Sequence, residues 1–234
     1  MLHFWKHEMK PTLPMRTTFH ALLLVAGIAA TSACVASSKP IALPDAIIDA
    51  PRAAGKEQIA VFAGGCFWGI EAVFEHTKGV KRVESGYAGG SASTADYTLV
   101  SSGRTAHAEA VRIVYDPAQV SYGQLLKVFF SVAHDPTQLD RQGPDTGPQY
   151  RSEVFTANAT QQKITTAYIG QLDASGRFAK PIVTKVGSLK AFYLAEDYHQ
   201  DYARLNPNQP YIVINDAPKV AALQKLLPQF YRAR

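Results

Sequence analysis

The hydrophobic pattern of this chain changes character near residue 56. Beyond that point short apolar runs alternate with amphipathic stretches, as in a packed domain. Residues 58–63, QIAVFA, form an apolar run of strand length. Residues 66–76 place Ile70, Val73 and Phe74 on one helical face and Glu71 and Glu75 on the other, with Lys78 and Gly79 as a stop. Residues 80–87 alternate as a strand, and 88–93, AGGSAS, read as a loop. Alternation returns at 110–115, with Val111, Ile113 and Tyr115 on one face, before Asp116 and Pro117 turn the chain. Ser121 is an N-cap for an amphipathic helix to residue 133, striped by Leu125, Leu126, Phe129 and Phe130. Residues 134–150 form a long polar loop with three prolines and two glycines, and so long a loop in a compact domain is generally functional. A strand at 152–156, a helix at 160–172, a strand at 182–186, a helix at 195–205 and a helix at 218–230 opened by Pro218 follow. Strands and helices mixed without a βαβ rhythm predict an α+β domain, a two-layer mixed sheet with packed helices.

The first 55 residues read differently. Met15 and Arg16 precede a ten-residue apolar run at 21–30, followed by the small residues Thr31, Ser32 and Ala33. A positive start, a short apolar run and a small-residue cleavage site mark an export signal over 1–33. The run is short for a membrane span, which leaves an N-terminal anchor as the alternative. Cys34 is a candidate lipid-attachment cysteine, although Thr31 stands where such sites carry Leu. Residues 34–55 are rich in Ala, Ser and Pro and read as a linker, leaving 56–234 as the globular domain. The expected location is exported, periplasmic or associated with the envelope.

Charge narrows the partners. The net charge is +5 over 234 residues, but from Lys56 onward 19 Lys and Arg stand against 16 Asp and Glu, scattered along the chain. No basic stripe forms, so nucleic-acid binding is not expected, and a neutral or peptide substrate fits better than a polyanion. A monomer is expected.

Cys66 is the one cysteine of the body, in the sequence Gly64-Gly65-Cys66-Phe67-Trp68-Gly69 between a strand and a helix. A thiol there lies against the positive end of a helix, which favours the nucleophilic thiolate. Phe67 and Trp68 can wall a small apolar pocket beside the sulfur. A buried structural cysteine is the plain alternative. Gly64 and Gly65, however, permit unusual backbone angles and close approach of a ligand, which a core position does not need. Four polar clusters are candidates to converge on the thiol: Asp96 and Tyr97; 105–109, TAHAE; 142–151, QGPDTGPQYR; and 195–200, AEDYHQ. Taken singly each has a plain reading: Glu109 as a solvated strand-edge carboxylate, His134 or His199 as a hydrogen-bonded surface histidine.

Taken together with GCFWG, the ordered segments HAE, HDPTQ, RQGPD, QYRS and AEDYHQ resemble the A-type peptide methionine sulfoxide reductases, over about residues 58–230. The resemblance implies a ferredoxin-like core and reduction of the S epimer of methionine sulfoxide, free or in proteins, without metal or organic cofactor. It implies Cys66 as the nucleophile on the sulfoxide sulfur and Glu109 as the acid that protonates the oxygen. It implies Phe67 and Trp68 as the methyl-holding aromatics, Tyr97 and Tyr150 as hydroxyls on the oxygen, and Asp145 as a polar member of the same pocket. The physics agrees: attack at sulfur builds charge on oxygen, which donors stabilise and a neutral acid discharges. Burial beside aromatics raises a Glu pKa as such an acid requires.

Oxygen transfer leaves a cysteine sulfenic acid. No second cysteine follows Cys66, so recycling by an external thiol, thioredoxin-like or another, is expected; Cys34 is the one internal candidate. Two departures from the family pattern, Ala106 for Gly and Pro148 for Thr, touch loop geometry only. A cysteine hydrolase using Cys66 with His107, His134 or His199 is the rival reading, recognisable by a Cys–His hydrogen bond. A zinc hydrolase is weaker, since the HAE segment lacks the paired cysteines such a site needs. A non-catalytic envelope lipoprotein, with Cys34 lipidated and Cys66 inert, is the third.

Overall fold

The computed structural model describes residues 39–52 and 54–234, all within one compact unit, Ala36–Arg234. The expected export signal and Cys34 lie outside the described residues. Among the described residues no helix is long and apolar enough to cross a membrane.

The domain opens with β1 (Gln58–Gly64), α1 (Phe67–Glu75) and β2 (Val80–Ala88). A short α2 (Tyr97–Ser101), β3 (Ala108–Tyr115) and α3 (Tyr122–Val128) follow. The two-residue strands β4 (Arg141–Gln142) and β5 (Asp145–Thr146) pair with each other. Then come β6 (Ser152–Thr156), α4 (Ala159–Ala174), β7 (Lys185–Ser188), β8 (Phe192–Leu194), α5 (Tyr202–Leu205) and α6 (Ala217–Leu226).

The main sheet has the order β7-β6-β1-β3-β2-β8. β3 lies between β1 and β2 and is antiparallel to both, and β6 is antiparallel to β1. Four strands with α1 and α3 as crossovers therefore make the split βαβ arrangement of a ferredoxin-like core. β7 adds parallel to β6, and β8 antiparallel to β2, so the sheet is mixed. Alternation in β1 sends Ala60 and Phe62 toward the helices and Val61 and Ala63 to the other face. On the helical side Phe62 stacks on Phe129 with ring centroids 4.9 Å apart, and Phe74 and Tyr122 close around it. The opposite face buries a thin layer of Ala63, Ala88, Ala108, Ala110 and Phe155.

Several expected elements differ. β3 starts at Ala108, so Glu109 lies inside the sheet opposite Tyr87 and on the face of Val111, not on a solvated edge. The helix expected to 133 is α-helical only to Val128 and continues as a π-helical turn over Phe129–Ala133. The strand expected at 182–186 forms at Lys185–Ser188, where it finds the register of Glu153 to Thr156. No helix covers 195–205. The Gln200 side chain donates to the carbonyls of Ser85 and Ala195 and accepts from Ser85 N–H, so the segment is pinned to β2 as a 3₁₀ turn, Asp197–His199, before the four-residue α5. The last helix ends at Leu226 because Pro228 excludes Leu227 from helical backbone.

The expected linker is part of the fold over residues 39–52. Leu43 is buried, and Ile41 N–H donates to Ser131 O at 3.1 Å. Tyr168 donates to Pro44 O at 2.8 Å, and Lys127 pairs with Asp45 at 2.9 Å. Asp49 accepts from the Ser121 hydroxyl and, at 2.7 Å, from Gly123 N–H, completing the cap of α3. The packed body therefore begins well before residue 56.

Candidate active site

The turn between β1 and α1 is built for close packing. Gly65 has φ +103°, and a Cβ there would lie 2.6 Å from the Gln142 side chain. A Cβ on Gly69 would lie 2.1 Å from Asp216 Oδ1. Cys66 is the N-cap residue of α1 and is 8 % exposed. The helix end was expected to favour the thiolate. Burial instead pushes the thiol pKa well up, and the carboxyls of Glu109 and Asp216 add to it, outweighing the Trp68 N–H and the Lys219 ammonium. The resting sulfur is therefore a thiol.

Glu109 reaches that sulfur from the neighbouring strand. Its Oε2 accepts from Phe67 N–H at 3.1 Å, and the side chain is 2 % exposed. Burial raises its pKa to about 8; Asp145 adds to the rise, and the Phe67 N–H and the Cys66 thiol pull against it. A carboxyl in that range is neutral at pH 7 and can donate a proton. Tyr97, first residue of α2, and Tyr150, in the short turn Pro148–Tyr150, both have raised pKa values. Burial is the main cause, and Glu109, Asp145 and Cys66 each contribute. Asp145, on β5, is also raised by burial, and its Oδ2 accepts a hydrogen bond from the Tyr211 hydroxyl. The seven residues singled out in the sequence therefore gather at one place: Glu109 binds the first turn of α1 beside Cys66, Phe67 packs on Trp68, and Tyr97, Asp145 and Tyr150 lie within electrostatic reach of Glu109.

None of the other candidates is hydrogen-bonded to the sulfur. His107 accepts from Gly90 N–H at Nδ1 and binds Ser91 O through Nε2 at 2.9 Å. His134 is buried, not superficial, with Nε2 on Ser152 Oγ at 2.8 Å and Nδ1 on Phe129 O at 3.2 Å. His199 is also buried and engages Trp68. Arg151 spans the carbonyls of Ala106, His107 and Pro148 and pairs with Glu153, bracing the loops rather than entering the pocket. Asp96 caps α2.

Sequence reasoning missed Tyr202, Tyr211, Asp216 and Lys219. Tyr202 stacks on the Trp68 indole at 3.8 Å, and Tyr211 meets its edge at 6.0 Å. Asp216 is fully buried beside Cys66 and pairs with Lys219 at 3.1 Å. At spacing i,i+3 that pair looks from sequence like a surface helix pair. Among the described residues no group of three or more His, Cys, Asp or Glu side chains is arranged to hold a metal ion.

Fold and site together are those of a thiol-based enzyme: the buried Cys66 sulfur beside the Glu109 carboxyl, kept neutral by burial, under an aromatic wall. The family model described as peptide methionine sulfoxide reductase matches residues 58–230. Peptide methionine sulfoxide reductase MsrA 2 of Mesorhizobium japonicum is 56% identical over 180 residues, 77% of this chain and 92% of that protein. The protein of the same name from Synechocystis is 54% identical over 182 residues, 76% of this chain and 85% of that protein. Among solved structures, methionine sulfoxide reductase A of Corynebacterium diphtheriae superposes with TM-score 0.57 at 37% identity, over 73% of this chain and 84% of that one. Mxr1 from Saccharomyces cerevisiae in reduced form gives TM-score 0.59 at 32% identity, over 66% and 88%. The chain belongs to the peptide methionine sulfoxide reductase family.

Proposed function

We propose that this protein reduces methionine sulfoxide, the S epimer, free or in proteins, with Cys66 as nucleophile and Glu109 as acid. The observation that carries this reading is the Glu109 carboxyl set against the Cys66 turn, bound to Phe67 N–H and held neutral at pH 7 by burial. The family relationship supports the same substrate class.

The substrate methyl rests on Phe67 and Trp68, and the sulfoxide oxygen faces Glu109 and the hydroxyls of Tyr97 and Tyr150. Asp145, tied to Tyr211, shapes the polar side of the pocket. Cys66 sulfur attacks the sulfoxide sulfur as Glu109 gives its proton to the oxygen. The thiol proton returns to the Glu109 carboxylate, restoring the acid. Oxygen passes to Cys66, leaving the thioether of methionine and a cysteine sulfenic acid. A first external thiol displaces water and forms a mixed disulfide; a second releases Cys66 as the thiol and leaves as the oxidised disulfide. A thioredoxin-like dithiol supplies both equivalents, and the enzyme works as a monomer. The hydrolase reading lacks its Cys–His hydrogen bond among the described residues: His107 and His134 have both ring nitrogens engaged away from Cys66, and His199 bonds Trp68. Export to the periplasm or envelope, with 1–33 as the leader, is part of the same proposal, on the strength of the apolar run at 21–30.

The test is turnover of separated S and R amide-capped methionine sulfoxide with excess dithiothreitol. Reduction of the S epimer alone, lost in Cys66→Ser with the circular dichroism spectrum unchanged, is expected. Turnover of neither epimer by folded, reduced protein, or retained turnover in Cys66→Ser, refutes the proposal.

A further inference from the structure

Asp216 and Lys219 stand against the preferences of their own helix. Asp216 is the N-cap residue of α6, a place where an aspartate commonly accepts from first-turn N–H groups, yet its side chain makes no such bond. Lys219 lies in the first turn of α6, at the positive end of the helix, where a cation is disfavoured. Both side chains turn instead toward α1. Asp216 is fully buried, pairs with Lys219 Nζ at 3.1 Å through Oδ1, and keeps Oδ2 buried without a hydrogen-bond partner. A Cβ on Gly69, the third residue of α1, would lie 2.1 Å from Oδ1 and 2.6 Å from Nζ, so the pair rests on the first turn of α1. That turn holds the unpaired N–H groups that make a helix end positive, and Cys66 is its N-cap residue. A carboxylate set there opposes the field that would draw the sulfur toward thiolate.

The other titratable groups acting on the sulfur are Glu109 from β3, Tyr97 from α2, Tyr150, and Tyr211 from the segment before α6; all four are uncharged at pH 7. Asp145 faces Asp216 from β5. Burial is the first cause that holds the proton on Cys66; Asp216 works with it and Lys219 against it. A buried ion pair is a poor device for stability alone, and local rules broken together point to function. We infer that Asp216 is a positioning residue for charge: held by Lys219 against the first turn of α1, its carboxylate keeps resting Cys66 a thiol that is slow to react with general oxidants and electrophiles. This deepens the reading of Cys66 as nucleophile and rests on it.

The test is alkylation of Cys66 by iodoacetamide as a function of pH in the full, reduced, substrate-free chain. It is read on the Cys66 peptide by mass spectrometry, because Cys34 is the other cysteine. Asp216→Asn keeps the shape, removes the negative charge and leaves the ammonium. Its rate at pH 7 should rise roughly tenfold, as the midpoint of the profile moves down by about one pH unit with the high-pH plateau unchanged. Asp216→Ser, smaller and equally uncharged, replaces it where Asp216→Asn does not fold by circular dichroism, with the same shift expected. Adding Lys219→Met removes both charges, and the rate should return most of the way to wild type. A pair that only packs predicts otherwise: loosening raises the plateau, and the double variant is at least as reactive as the single one. A profile unmoved by loss of the Asp216 carboxylate, a raised plateau, or a double variant as reactive as the single overturns the inference. Wild-type protein that reduces neither epimer, with these shifts intact, refutes the reductase reading alone.

Discussion

Glu109 links stability to pH through a proton that burial keeps on its carboxyl. Its folded-state pKa of about 8 lies above the 4.5 of an ordinary Glu, so between those values the folded protein holds a proton that the unfolded chain has released. The stability linked to this group is full below about 4.5 and falls as pH rises toward about 8. Glu109→Gln removes that loss, and unfolding followed by heat should show the variant more stable than wild type at pH 9, on the order of a few kcal/mol, with no gain at pH 4. Turnover should fall by roughly 10²–10⁴-fold, less than in Cys66→Ser because the amide still donates a hydrogen bond. The wild-type rate should decline above about pH 8 as Glu109 deprotonates, and the variant should lack that limb. A variant with wild-type rate, or one less stable at pH 9, contradicts the acid. Gly69 gives a second residue-level test. A Cβ there meets Asp216 Oδ1 at 2.1 Å and Lys219 Nζ at 2.6 Å, and Asp216 is fully buried and cannot withdraw to solvent. Gly69→Ala should destabilise by about 1–3 kcal/mol in denaturant unfolding, as overpacking does, and lower turnover. Unchanged stability would mean the pair relaxes freely. At this scale the candidate site was legible through the family resemblance: GCFWG is distinctive, whereas Glu109, Tyr97, Asp145 and Tyr150 taken singly read as ordinary strand-edge and loop residues. Tyr202, Tyr211, Asp216 and Lys219 were not, because each looks like an ordinary helix-surface or loop residue until the chain folds back.

Elements forecast by periodicity formed where the pattern was strong, and shifted where one side chain overrode it. β1, α1, β2, β6 and α4 lie within two residues of expectation. Segment 195–205 carries a helix-compatible composition, yet the Gln200 amide gives it backbone partners on β2 that a helix would not need. The polar loop 134–150 is likewise folded, with Asp135, Gln138, Gln142 and Gln149 all buried as hydrogen-bonding ties. Composition reads such segments as solvated because it cannot count partners. The strap 39–52 is the plainest case: Ala and Pro suggest a linker, but Asp49 supplies acceptors to the first turn of α3 that Ser121 and Gln124 leave over. Asp49→Ala should lower stability by about 1–2 kcal/mol in urea unfolding, the size of a lost helix cap, while KM and kcat at 25 °C stay unchanged. Stability equal to wild type would return the strap to the status of a linker.

At the scale of the whole molecule, the fold brings the Cys66 thiol and the Glu109 carboxyl together from a strand–helix turn and a central strand, 43 positions apart in the chain. Within the described residues Cys66 is the single cysteine and is free, so one turnover without reductant should yield one methionine and one dimedone adduct per chain, on Cys66, by mass spectrometry. A Cys34–Cys66 disulfide instead would move regeneration inside the protein. By itself the sequence determined the class of the fold and, through the GCFWG motif and the ordered segments after it, the family, because strand and helix periods and motif order are local properties of the chain. Tertiary structure decided the protonation of the thiol, the clamp on Trp68, the buried Asp216–Lys219 pair and the docking of residues 39–52. Each depends on desolvation or on a partner far along the chain, and neither exists until the core has closed.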